Sequence, residues 1–217
     1  MSDIFQEVDE EVRRERLKKL WEQYSGVIIT VALVIVVGIG GWRAYQWWEA
    51  KQAAEAGRQF EAAVQLSEQG KHDEAAALFA KLSTEGTAGY RTLARFRAAQ
   101  ELATRDTHAA VKAYDALAAD RGIGQPLQDL AEIRGTLLLV DTAPYEELRT
   151  RLEPLTANDR PFHHTARELL ALSAWRAGDQ TASRRWIDLI LTDAETPSSV
   201  RARAEMLMAL TGGRAKG

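Results

Sequence analysis

His163, His164 and Glu168 are the residues whose types and spacing come nearest to chemistry. On a helix His164 and Glu168 are i, i+4 neighbours, and an imidazole beside a carboxylate is half of a metal site. A complete site needs three or four ligands, and the sequence around this pair supplies no others, so the expectation is a histidine pair in the first turn of a helix and no metal. Arg184-Arg185 with Arg201 and Arg203 would suit an anion, but Asp188 and Glu205 lie among them and favour solvated faces. Arg91 and Arg95, again i, i+4, make a cationic row suited to lipid headgroups or an acidic partner. G-x-S-x-G, P-loop and H-E-x-x-H motifs are absent, and GIGG at 38–41 is not followed by the Lys-Ser/Thr of a phosphate cradle. The chain is therefore expected to carry no catalytic, cofactor-binding or metal-binding residues, to bind no small-molecule substrate, and not to be an enzyme.

The element that any function must accommodate is residues 23–42, QYSGVIITVALVIVVGIGGW, which hold no charge. At ~1.5 Å rise per residue this run spans ~30 Å as a helix, the thickness of a bilayer's hydrocarbon core. Trp21 and Tyr24 stand at one end; Trp42, Tyr45, Trp47 and Trp48 stand at the other, where amphipathic rings favour the headgroup level. Gly26, Gly38, Gly41 and Trp42 mark the span. Gly38 and Gly41 would let two spans approach, though a true G-x-x-x-G is missing. A cleaved signal peptide fits poorly. The preceding region is long and acidic, the apolar run exceeds the usual signal core, and the first A-x-A (Ala54-Glu55-Ala56) lies well past the span. Arg13, Arg14, Arg16, Lys18 and Lys19 precede the run, whereas Arg43, Lys51 and Arg58 are more spread out behind it. The positive-inside rule then puts the N-terminus in the cytoplasm and the rest across the membrane. The expected organisation is a polar cytoplasmic tail over 1–22, a transmembrane helix over 23–42 and a soluble domain over 43–217.

The chain's formal net charge of −3 argues against a nucleic-acid partner, and the absence of cysteine excludes disulfides, thiol catalysis and Cys-ligated zinc. Beyond the span the apolar residues recur at helical spacing. Pro126, Pro144, Pro161 and Pro197 each precede a helical pattern, Pro154 ends one, Thr196 and Asp159 are candidate caps, and Gly70, Gly122 and Gly178 fall at ends or turns. These marks predict helices near 49–69, 72–84, 87–104, 107–120, 125–141, 144–155, 162–177, 180–192 and 197–211. With no proline between Trp42 and Gln69, the span is expected to continue as helix into the first of these and to hold the domain near the membrane. Gly57 is a soft point there or a place of close packing.

The helices repeat. Ala75, Phe79 and Leu82 are spaced i, i+4, i+7, and Ala110, Tyr114 and Leu117 reproduce the row 35 residues on. Leu148, Leu152 and Leu155 form a weaker third row, and Ala182, Trp186 and Leu189 a fourth. A period near 34 with a small residue followed by an aromatic is the tetratricopeptide pattern, in which the small side chain lets paired helices approach and the aromatic fills the gap to the next repeat. The fold class is thus all-α: one N-terminal transmembrane helix, then a tetratricopeptide-like α-solenoid of about four helical hairpins plus a C-terminal helix.

With its polar N-tail, the Gly-rich end of the span before Trp42-Arg43, GKHDEAAALFAKL (70–82) and RELLALSAWRAGD (167–179), the chain resembles the bacterial ancillary subunit of the Sec translocon. That family is a single-span inner-membrane protein with a periplasmic tetratricopeptide-like domain. The resemblance implies membrane lipid, translocon components and periplasmic chaperones as partners, linking secreted chains to those chaperones, with the soluble domain in the periplasm. The alternative is an envelope or cell-division scaffold using the same solenoid surface.

Overall fold

The punctuation seen in the sequence becomes the ends of helices. The structure is a computed structural model that describes residues 3–213, with side chains described for residues 18, 21–27 and 29–211. The helices are α1 (Asp3–Glu68), α2 (His72–Glu85), α3 (Ala88–Ala103), α4 (Thr107–Ala118), α5 (Gln125–Leu137), α6 (Tyr145–Leu152), α7 (His163–Arg176), α8 (Gln180–Leu191) and α9 (Ser198–Gly213), with 3-10 turns at Arg121–Ile123 and Glu153–Leu155. No strand occurs among the described residues.

Residues 1–54 and 55–217 form two compact units. In the first, α1 carries the apolar run. Every described Val, Ile and Leu between 27 and 39 is more than half exposed. An 18-residue window has a mean hydropathy of 2.3 with none of it buried, and by length and composition α1 is the one helix among the described residues fit to cross a bilayer. Gly26, Gly38 and Gly41 are exposed along it, and Trp42 is 63% exposed. Trp42, Tyr45 and Trp48 follow one another at i, i+3 steps with ring centroids 6.4 Å apart. Lys51 places its ammonium 5.4 Å from the Trp47 ring. The helical backbone of α1 continues to Glu68 without interruption.

In the second unit the end of α1 shares an apolar cluster with α2, and α3 pairs with α4, α5 with α6, and α7 with α8, followed by α9. Two hairpins are closed identically. Gly70 and Gly178 adopt φ of 77° and 81°. The Lys71 N–H donates to Leu66 O and the Asp179 N–H to Ala174 O, both at 2.9 Å, the Schellman closure that a left-handed glycine permits. The caps come from aspartates: Asp106 accepts from Ala109 N, Asp179 from Ala182 N, and Asp120 from Gly122 N. Thr196 does not cap α9; its hydroxyl is drawn inward and donates to Ile190 O at 2.6 Å. Helix α5 ends at Leu137 rather than 141. Tight turns such as Leu139 N to Thr136 O take over as the chain approaches Ala143-Pro144, where the residue before proline is pushed out of the helical region.

Ala75, Phe79, Leu82, Ala110, Tyr114 and Leu117 all lie within 3% of full burial. Leu148, Leu152 and Leu155 form the third row and are buried as well. The fourth row is one residue off its sequence assignment. Ser183, Ile187 and Ile190 are buried, whereas Leu189 is 39% exposed. Trp186, the aromatic that suggested the other register, is buried beside this row and donates from its indole N–H to the Tyr145 hydroxyl at 2.9 Å. The corrected set restores i, i+4, i+7 in all four second helices.

Each hairpin's core is completed by its successor. Ala94 of α3 lies in the cluster of Phe79 and Leu82, Ala131 of α5 in that of Tyr114 and Leu117, and Ala166 of α7 in that of Leu148 and Leu152. The alanines are fully buried there, and Gly135 marks a still closer approach: a Cβ on it would stand 3.1 Å from Tyr114 Cβ. Gly57 is likewise a close-packing position, since a Cβ would meet the Tyr90 hydroxyl at 2.7 Å.

The corrected register has a direct test. Ile187→Ala is expected to cost ~2–5 kcal/mol, the range for truncating a buried aliphatic side chain, and Leu189→Ala to stay within about 0.5 kcal/mol. Chemical unfolding of the full chain in detergent checks both, and a larger loss for Leu189→Ala would contradict the assignment.

Candidate protein-binding surface

Where α5 gives way to turns, the chain leaves a cleft of ≈ 620 Å³ between α4 and α6. Its apolar floor is Val111 from α4 with Leu138 and Leu139 from the turns that follow α5. His108, Val111, Lys112 and Asp115 share one face of α4 at i, i+3, i+4, i+7, so a single helix supplies both floor and rim. Asp141, Glu147 and Arg151 complete the rim. An apolar floor with charges of both signs around it suits an extended peptide: a small apolar side chain seats below while backbone and polar groups pair above.

Arg151 fixes the cleft's wall. Its Nη1 donates to Asp115 Oδ1 at 2.7 Å and Glu132 Oε1 at 3.1 Å, and its Nη2 reaches Asp115 Oδ2 at 3.3 Å, tying α6 to α4 and α5. Burial pushes the Glu132 carboxyl above the usual carboxylate range, against the opposing pull of Arg151. The Arg151 guanidinium is held still more firmly charged, chiefly by Asp115. A second junction sits one hairpin earlier. The Glu101 carboxylate of α3, 3% exposed, accepts from the Ser67 hydroxyl at 2.6 Å and meets His72 Nδ1 at 2.7 Å. A third is Asp129 of α5, which accepts from Arg160 at 2.6 Å; burial raises its carboxyl and Arg160 opposes the rise.

The arginines singled out by sequence are mostly occupied within the chain. Arg95 is half-buried and donates to Asp120 at 2.5 Å, so only Arg91 of that row faces outward. Asp120 is held below its ordinary value, first by Arg95 and then by the Gly122 N–H. Arg184 donates to Thr211 O, Arg185 lies over the Trp186 ring, and Arg201 donates to Leu191 O and Asp193 O. Arg203 pairs with Glu168, which removes Glu168 from any partnership with His164. The cleft was not singled out by the sequence. Its floor depends on where α5 stops, and the signal that bore on this was Pro144, six residues after Leu138.

A family model described as tetratricopeptide repeat-like domain matches residues 18–170. The matched stretch begins ahead of the apolar run and stops inside α7, while the buried row Ser183–Ile187–Ile190 carries the same packing on the next helix, α8. No curated protein and no solved structure matches the chain.

Removing Arg151 isolates its hold on Glu132. Arg151→Met is expected to move the Glu132 titration upward, because the group opposing burial is gone. A carboxyl whose folded value lies above its unfolded one adds stability below the unfolded value and loses it as pH rises through the folded one. The variant should therefore lose stability relative to the native protein as pH rises from about 4 to 7. Carbon-detected titration of Glu132 with unfolding at several pH values checks this; an unmoved titration would contradict the assigned coupling.

Proposed function

We propose that this chain, which belongs to the tetratricopeptide repeat-like family, is a single-span membrane protein that binds other proteins through its solenoid and performs no catalysis. A tetratricopeptide-like domain is a protein-binding module, since stacked hairpins present extended surfaces rather than enclosed reaction sites. The observation that carries the reading is α1, whose exposed apolar run is long enough for a bilayer and whose last turns supply Ala56 and Ala63 to the first core cluster of the solenoid. A chain anchored by that run binds its partners at a membrane. The cationic excess before the run supports a cytoplasmic N-terminus and a solenoid across the membrane.

In this reading the chain is an accessory subunit of the Sec translocon in the bacterial inner membrane, with its solenoid in the periplasm between emerging chains and periplasmic chaperones. The support is the set of sequence features that resemble that subunit, together with the α4–α6 cleft, whose mixed lining fits unfolded segments of varied sequence.

Two measurements test it. A reporter active only in the periplasm, fused after Gly217, is expected to be active while a cytoplasmic reporter is silent; the reverse pattern would overturn the orientation. Gentle solubilisation and co-purification is expected to bring down translocon components. Recovery of cell-wall or division proteins in their place would turn the reading to an envelope scaffold.

A further inference from the structure

The start of α7 and the loop after α8 bring Asp193 to two adjacent histidines that lie about 30 residues before it in the sequence. His163, His164 and Asp193 place their ligand atoms within 4.8 Å of one another. His163 Nε2 and His164 Nε2 lie 3.4 and 3.2 Å from Asp193 Oδ2. Both nitrogens are buried and make no hydrogen bond, and His163 is only 7% exposed.

The His163 tautomer follows from its other nitrogen. Nδ1 lies 2.6 Å from Arg160 O, and a carbonyl can only accept, so Nδ1 carries the proton. In the neutral ring Nε2 is then a bare lone pair facing a carboxylate oxygen, with the His164 ring tilted by 39° beside it, centroids 3.8 Å apart. A bare lone pair facing an anion repels it unless a cation stands between them. The spacing fits one. A charge-assisted N–H···O bond would be ~2.7–2.9 Å, whereas metal–ligand bonds of ~2.0–2.1 Å in a tetrahedron separate neighbouring ligands by about 3.3 Å. The carbonyl behind Nδ1 is also the outer contact that metal-binding histidines usually keep.

We propose that His163 Nε2, His164 Nε2 and Asp193 Oδ2 form a binding site for a divalent transition-metal ion of the zinc class, its remaining position open to water. Two imidazoles and one carboxylate suit zinc better than magnesium or calcium, which prefer all-oxygen sites. The ion bridges the beginning of α7 to the segment leading into α9 and clamps the last hairpin.

Asp193 is already oriented for this role. Its Oδ1 accepts from Glu195 N at 3.0 Å, and Oδ2 accepts from Arg167 Nη1 at 3.1 Å. The Arg167 charge lies close to the site, but its other donors are committed to Thr156 O, Asn158 Oδ1 and Leu189 O. It holds the carboxylate rather than filling the space between the histidines. The rival arrangement is an Arg–Asp–His cluster with a protonated imidazole and no metal.

The test uses the full chain in detergent, stripped with chelator and titrated with Zn²⁺ at neutral pH, with Co²⁺ absorption reporting geometry. One equivalent of Zn²⁺ is expected to bind and to raise the melting temperature, and Co²⁺ to give d–d bands that Zn²⁺ abolishes. His164→Ala and Asp193→Asn are expected to weaken binding by more than the ~10–100-fold that follows loss of an outer contact. His72→Ala, at a histidine outside the site, is expected to leave affinity unchanged. Should a variant lose its helical circular dichroism, X-ray absorption of the zinc-loaded native chain decides by the presence or absence of two imidazole shells. Binding weaker than ~1 mM, binding retained in His164→Ala, or binding lost with His72→Ala would each overturn the proposal and leave the metal-free cluster.

Discussion

A two-helix hairpin cannot bury both faces of its helices, and everything beyond residue 55 follows from that constraint. The second helix of each pair carries one short buried row at i, i+4, i+7, and its remaining exposed side is closed by an alanine from the first helix of the next pair. Ala94, Ala131 and Ala166 play this part in turn, each fully buried. Three separate clusters result, strung along the chain rather than gathered into one centre. The geometry tolerates a change of residue within the row more readily than a change of its spacing. Phe79, Tyr114, Leu152 and Ile187 differ in shape yet share one position.

Charge does the work at the junctions that apolar packing does within hairpins. Glu101 and Arg151 each join elements from more than one hairpin, Arg167 ties α7 to the loop before it and to the end of α8, and each is held by several donors or acceptors rather than by a single ion pair. Burying a charge in this way is unfavourable unless its hydrogen-bonding capacity is met. Their benefit is in direction: an arginine fork or a carboxylate with two partners fixes the angle between neighbouring helices more narrowly than alanine contacts do. Arg151 sets a wall of the α4–α6 cleft by this means, so the shape of the candidate binding surface rests on charge placement.

Much of this was legible in the sequence, because helical period, proline and glycine act locally. The helices beyond α1 match their expected bounds to within a few residues, and the rows at Phe79 and Tyr114 are visible as a 35-residue repetition. What escaped was set by distant contacts. The α8 row was misplaced by one because Trp186 is the conspicuous aromatic, whereas burial follows the period that ends on Ile190. Thr196 has the side chain of a cap, but the Ile190 carbonyl competes for its hydroxyl and wins. Asp193 was out of view of the histidines, since only the return of α8 alongside α7 brings it to them. The cleft is the exception: α5 stops early through local turns ahead of Pro144, which leave no apolar period behind.

We propose that the solenoid receives other proteins along its α4–α6 cleft. The most direct measurement replaces Val111, at the cleft floor, with a photo-crosslinking amino acid in intact membranes, and compares it with the same replacement at Glu74, exposed on α2. Light-dependent adducts with other proteins are expected from position 111 and not from position 74. Equal labelling at both positions, or none at 111, would contradict the assignment of the cleft as the binding surface.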